Sequence, residues 1–382
     1  MTTPDDTPPC APADDERRCW AAVARAPCLH VDHLRPALAQ AGSVLALWRE
    51  RVEQLRALGL PPAASALFAE PPEALLDADL AFAARSGTRL LPYTDADYPA
   101  QLLQVPAAPA ALYVRGDVAV LHRPQLAMVG SRHPTGAGRD IARGFAQAFA
   151  AAGVVVVSGL ARGIDAASHA GALDGGGLTV AVCGTGLDRV YPAAHHALAE
   201  RITAAGALVS EFPPGTAPLA ANFPRRNRIL AGLARGTLVV EAAPRSGSLI
   251  TARCALDQGR EVFAIPGSIR SLQSAGCHEL LRDGARLVTT AAHVLAEVGL
   301  PIENLSFQNQ LFTDPPGPVG RPSRLDKASE MLLDALGFEP ASIDELVDRT
   351  GLSPGSIASM LLILELDLRI EPQPGGRYCR VR

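Results

Sequence analysis

The segment NFPRRNRILAGLARG (222–236) places three guanidinium groups, Arg225, Arg226 and Arg228, within four positions beside Phe223 and Asn227. A guanidinium fork matches two phosphate oxygens at once. An adjacent aromatic ring stacks on an unpaired base. Together they suit a strand whose bases are open better than a closed duplex. A helix start knitted by salt bridges is the competing structural reading of the same residues.

Two more segments carry the same chemistry. Gly130, Ser131 and Arg132 directly follow an apolar run. Glycine lets the backbone turn close to a ligand, and a hydroxyl, a guanidinium and the amides that open a helix form an anion seat. In EAAPRSGSLITARCALDQGREVFAIPGS (241–268), Arg245, Ser246, Gly247 and Ser248 precede a second helix whose first amides point to the same place. Arg162, in SGLARGIDAASHAGAL (158–173), projects from a loop as a further phosphate ligand.

Other chemistry lacks its residues. Asp165 and His169 lie four apart on one helical face, but no serine or cysteine nucleophile is spaced to join them, so capping and hydrogen bonds between elements are expected. CGTGLDRVYP (183–192) fails the dinucleotide pattern, because Arg189 stands at its last glycine position and Tyr191-Pro192 follow where a helix is needed. A tight turn holding Tyr191 against the core is the structural alternative. No GxxxxGK[ST] loop occurs, and the one lysine of the chain is Lys327. The seven cysteines form no CxxC pair and the nine histidines no HExxH, so neither a metal site nor a cofactor is expected. No enzymatic step is expected either.

These segments need a scaffold that brings loops together. Apolar runs recur at 126–130, 153–159, 178–184, 206–211, 236–242 and 260–267, each leading through a turn into a helical stretch, and 286–290 is a short closing strand. Continuous apolar strands alternating with helices specify a mostly parallel sheet covered on both faces, an extended Rossmann-like α/β fold. Function in such sheets sits beyond the carboxyl ends of the strands, where the arginine segments fall.

The organisation reads as a disordered leader over 1–15, a small helical SAM-like domain over 16–88, and the Rossmann-like domain over 89–297. A proline-rich linker over 298–324 and a winged-helix domain over 325–382 complete it. Residues 88–117, TRLLPYTDADYPAQLLQVPAAPAALYVRGD, form an ordered connector. Ser353 and Pro354 open the third helix of the last domain. That helix carries no basic residue, so major-groove reading is disfavoured, and Arg377, Arg380 and Arg382 in the wing remain for auxiliary phosphate contact.

The net charge of −4 is unevenly spread. Residues 123–286 hold 17 basic and 11 acidic residues, whereas both flanking regions carry a net −5. A basic middle between acidic ends fits a polyanionic partner. The acidic, proline-rich start has no signal-peptide pattern. No apolar run spans a bilayer, so a cytoplasmic location without membrane insertion is expected.

The ordered motifs YPAQL, MVGSR, SGLARGIDAASHAGAL, CGTGLDRVYP, SEFPPG, NFPRRNRILAGL and VVEAAPRSGSLITARCALDQGREVFAIPG resemble the DprA family of DNA-processing proteins, also called Smf. The match runs from about residue 90 to 290. It implies a homodimer through the Rossmann-like domain that binds and protects incoming single-stranded DNA in natural transformation and helps to load RecA recombinase. On that pattern Arg132, Arg162, the segment Phe223–Arg228 and Arg245 line the DNA cleft. Which of the three clustered arginines faces DNA is not fixed by the motif. At His195 many relatives carry asparagine, which argues against a direct DNA role there. Two other classes stay open on the residues alone. One is a nucleotide-binding or nucleotide-hydrolysing enzyme of Rossmann-like fold. The other is a protein-interaction adaptor whose arginines are all salt-bridged.

Overall fold

The computed structural model describes residues 12–26, 28–300, 327–337, 339–366 and 369–381. The chain divides into two compact units near residue 308.

The first unit opens with six helices: α1 (Pro12–Arg25), α2 (Val31–Ala41), α3 (Val44–Trp48), α4 (Val52–Ala57), α5 (Pro62–Ala69) and α6 (Glu73–Ser86). Helix α1 starts at Pro12, so residues 12–15 of the expected leader are helical. Proline with its fixed φ, followed by acidic residues at the positive helix end, favours that start. The core of this region is Trp20, Leu34, Leu47, Leu55, Phe68 and Leu76, with Ala110 from the next region packed against them. Arg25 ties the region down. It pairs with buried Asp79 at 2.6 Å and donates to the Pro214 carbonyl at 3.1 Å.

The expected connector is two strands, β1 (Arg89–Pro92) and β2 (Ala111–Gly116). They pair antiparallel with each other, and β2 pairs antiparallel with the sheet. The prolines between them break the alternation by which strands are recognised. Then follow β3 (Gln125–Val129), α7 (Gly136–Ala151), β4 (Val155–Ser158), α8 (Ile164–Asp174), β5 (Thr179–Val182), α9 (His196–Ala205), β6 (Ala207–Ser210), α10 (Asn222–Leu233), β7 (Gly236–Val239), α11 (Ser248–Asp257), β8 (Glu261–Ala264), α12 (Leu272–Arg282), β9 (Arg286–Leu287) and α13 (Ala291–Glu297). The nine strands lie in the order β1-β2-β6-β5-β4-β3-β7-β8-β9, parallel from β6 to β9.

Alternation along each strand fills both faces. Ala127, Val129, Val155, Val157 and Val239 join one core with Ile229 and Leu230 of α10. Leu126, Met128, Val156 and Leu238 join the other with Phe145 and Phe149 of α7. The chain winds from β3 toward β6 on one side, then crosses back to β7 on the other. Strand β3 is therefore the switch point, and the loops above it diverge and leave a crevice.

The second unit contains α14 (Lys327–Leu336), β10 (Ala341–Ser342), α15 (Ile343–Thr350), α16 (Pro354–Leu366), β11 (Ile370–Gln373) and β12 (Arg377–Arg380). Three helices and a sheet in the order β10-β12-β11 form a winged helix around Leu332, Leu336, Leu346, Ile357, Leu361 and Ile370. Ser353 caps α16, accepting from the Ser356 amide at 3.2 Å. A capping box of Ser342 and Glu345 opens α15. Among the described residues no helix is long and apolar enough to cross a membrane, and no group of histidine, cysteine and carboxylate side chains is arranged to hold a metal.

Candidate nucleic-acid interface

The crevice above β3 is a cleft of about 690 Å³, walled by the β3–α7 and β7–α11 loops and by one face of α10. Its first wall is the Gly130-Ser131-Arg132 turn. A Cβ on Gly130 would lie 2.7 Å from Ile164 and 2.9 Å from the Glu241 carbonyl, so the close passage of two loops requires glycine. The Ser131 amide donates to that carbonyl at 2.7 Å, and Ser131 Oγ accepts from the His133 amide at 3.1 Å. The carboxylate of Glu241 accepts from the Thr135 amide at 3.0 Å and from Thr135 Oγ1 at 2.6 Å. Thr135 Oγ1 in turn accepts from the Gly138 amide at 2.9 Å, capping α7. Glu241, read from sequence only as a strand end, thus holds the turn that presents Arg132 to solvent.

The second wall is α10. Phe223, Arg226, Asn227 and Leu230 face the cleft, at the i, i+3, i+4, i+7 spacing of one helical face. Arg225 and Arg228 lie on another face, outside it. Arg228 pairs with buried Glu211. Arg225 is 3.4 Å from the same carboxylate and 5.4 Å from the Phe212 ring centroid. Their expected place in the cleft is corrected by this helical phase.

Arg226 does reach the cleft, but as its floor. It is 5% exposed. Its Nη1 donates to the carbonyls of Gly159 and Val182, at the ends of β4 and β5. Asp165 Oδ2 accepts from the amides of Gly159 and Ala161 at 3.1 and 3.2 Å, so it ties the loop rather than capping its own helix. Burial pushes the Asp165 carboxyl up and the Arg226 guanidinium down, and each charge partly restores the other. His169 does not pair with Asp165. Its Nδ1 is 2.7 Å from Thr179 Oγ1, and burial pushes its pKa down to about 3, so the imidazole is neutral.

The third wall contains Arg245, Ser246, Gly247 and Ser248. The two serine hydroxyls are 2.7 Å apart at the start of α11. Arg245 is exposed, and neither it nor Arg132 has a carboxylate partner among the described residues. Arg132 lies 5.8 Å from the centroid of the half-buried Phe223 ring, and Tyr191 stands 5.6 Å from the same ring at 43°. Tyr191 is 48% exposed in the cleft wall, not buried against the core. The cleft therefore offers two unopposed cations beside two aromatic faces. Its one carboxylate, Asp165, is buried.

Arg162 is exposed on the β4–α8 loop but is not in the cleft wall. His195 Nδ1 is 2.9 Å from the Leu160 carbonyl, holding a turn. In the wing, Arg377 pairs with Glu345 at 3.1 Å and Arg380 with Asp334 at 3.7 Å. Arg382 lies outside the described residues.

Residues 89–299 match the family model of DNA recombination-mediator protein A, and residues 315–376 match the DprA winged helix domain. The chain is 42% identical over 332 residues to protein Smf of Escherichia coli, covering 86% of this chain and 87% of that protein. It is 48% identical over 200 residues to DNA processing protein DprA of Streptococcus pneumoniae, covering 52% and 71%. The solved structure of DprA from Streptococcus pneumoniae superposes with a TM-score of 0.64 at 36% identity over 74% of this chain and 97% of that one. A structure of DNA processing protein A from Helicobacter pylori, described for its single-stranded DNA binding mode, superposes with a TM-score of 0.51 at 27% identity over 55% and 95%.

Proposed function

The chain belongs to the DNA recombination-mediator protein A family, and from that premise we propose that its cleft binds single-stranded DNA. The observation that carries the reading is the pairing of chemistries in one cleft. Arg132 and Arg245 are exposed and unopposed, whereas Tyr191 and the half-buried Phe223 ring stand in the cleft lining for unpaired bases. Phosphates take the guanidinium forks and bases take the rings. A duplex keeps its bases inside and leaves the rings without a partner. An adaptor with fully salt-bridged arginines fits Arg225 and Arg228 but not Arg132 and Arg245.

The role is read as binding rather than turnover, since the one carboxylate lining the cleft, Asp165, is held in the interior by the amides of Gly159 and Ala161. The reading extends to protection of incoming DNA in natural transformation, delivery to RecA recombinase, and action in the cytoplasm. It includes a homodimer, for which exposed Ile269 and Leu272, in the segment from β8 into α12, supply an apolar face.

Fluorescence anisotropy with labelled single-stranded and duplex oligonucleotides of equal length tests the reading across a salt series. Preference for the single strand, weakened in folded Arg132→Ala and Arg245→Ala variants, supports it. A folded parent that binds no single strand at low salt overturns it.

A further inference from the structure

A second group of arginines stands at the opposite end of the sheet. Arg123 lies two residues before β3, and Arg235 and Arg260 directly precede β7 and β8; the three strands are neighbours in the sheet. All three line a pocket of about 380 Å³, whose far wall includes Gln101, Gln104 and Val105. No aspartate or glutamate lines it.

The carbonyls that end α10 would make this a negative helix end, but they are already occupied. Arg260 donates to the carbonyls of Ala231 and Ala234, and Gln101 Nε2 to that of Leu233 at 2.8 Å. Arg260 is half-buried without a carboxylate partner, and burial lowers its pKa. Arg123 and Arg235 are exposed, and neither guanidinium has a side-chain partner among the described residues. Gln104 is likewise unpaired, and the buried amide oxygens of Gln125 and Gln258 have no partner. The pocket thus combines uncompensated positive charge with the exposed amide of Gln104, since the Nε2 groups of Gln101, Gln125 and Gln258 already donate to backbone carbonyls.

We propose that this pocket binds a nucleoside diphosphate, with Arg123 and Arg235 holding the phosphates beside the exposed Gln104 and the lining residues His122 and Pro124. Two separate guanidinium groups suit two phosphates. A lone phosphate underfills the space, which falls within the roughly 300–1,000 Å³ of small-molecule sites. The inference is independent of the DNA reading, because none of its residues lines the cleft.

The test is calorimetric titration of the full chain with ADP, AMP and pyrophosphate at low salt. Variants Arg123→Gln/Arg235→Gln and Arg132→Ala run beside the parent, each checked for an unchanged melting temperature. The proposal expects ADP to bind more tightly than pyrophosphate. It also expects a loss of about tenfold or more in the double variant, as for losing charge-assisted bonds, with little change in Arg132→Ala. The double variant is expected to keep its affinity for single-stranded DNA. The proposal is overturned if no probe binds or if pyrophosphate binds as tightly as ADP. It is also overturned if Arg132→Ala alone removes ADP binding, or if the double variant loses DNA while no nucleotide binds.

Discussion

Glu241 closes on Thr135 with both carboxylate oxygens, one on the amide at 3.0 Å and one on the hydroxyl at 2.6 Å. The end of β7 is thereby fastened to the first turn of α7, and the Arg132 turn lies between them. Glu241→Ala leaves two donors unmatched in a half-buried place, at a cost of about 1–3 kcal/mol. Denaturant unfolding measures that loss. Anisotropy on the folded variant should show weaker single-strand binding although Glu241 touches no DNA. Unchanged affinity would mean that the turn holds itself.

Arg226 and Arg132 should fail in opposite ways. Arg226→Ala leaves the Gly159 and Val182 carbonyls without their donor and Asp165 without its opposing charge. Removing one member of a buried charged set costs about 3–5 kcal/mol, so the variant should lose stability first. Arg132→Ala should keep its melting temperature and lose affinity. An Arg226→Ala protein as stable as the parent would contradict the buried strut.

Gly159 sits against the guanidinium of Arg226 and the carboxylate of Asp165. A Cβ there would be 2.6 Å from Arg226 Nη2 and 2.7 Å from Asp165 Oδ2. Gly159→Ala should destabilise by about 1–3 kcal/mol through overpacking, read by thermal unfolding. A neutral result would show that the loop moves freely.

The rings and the guanidiniums should separate in their salt dependence. Phe223→Ala and Tyr191→Ala should each weaken single-strand binding by about 1–3 kcal/mol without changing the slope of log K against log salt. Arg132→Ala should reduce that slope by about 0.7. Equal slopes in all three variants would rule out this division of labour.

His169 gives the fold a pH dependence. Its folded pKa is pushed down to about 3 by burial, against about 6.5 for an unfolded histidine. Above pH 6.5 neither state is protonated and the residue contributes no slope. As pH falls below 6.5 the unfolded chain takes the proton first, so stability drops, by about 2 kcal/mol at pH 5. Urea midpoints at pH 7.5 and pH 5 should differ less in His169→Gln than in the parent.

The sheet was legible because its strands are uninterrupted runs such as GVVVVSG, whose apolar character both faces demand. β1 and β2 were not, because LLP and ALYVRG are short and bounded by prolines. The Arg132 and Arg245 loops were legible because glycine and serine at a strand end specify a turn into a helix. The arginine cluster on α10 divides by helical phase, with Arg226 lining the cleft and Arg225 and Arg228 outside it. Phe223, Arg226, Asn227 and Leu230 share a face by arithmetic available in the sequence, which leaves Arg225 and Arg228 elsewhere. That Glu211 waits for those two, and that Arg226 meets strand carbonyls, depends on contacts between distant segments. Tyr191 was unreadable because a Tyr-Pro turn fixes no direction for its ring.

The helix that begins at Lys327 opens the second unit, and it carries the chain's one lysine. Amine-directed reagents therefore have one side-chain address, far along the sequence from every residue of the cleft and of the arginine pocket. A dye, cross-linker or surface tether placed there leaves every guanidinium chemically intact. The same fact removes lysine acylation as a means of tuning either basic site, whose charge is carried by arginine alone.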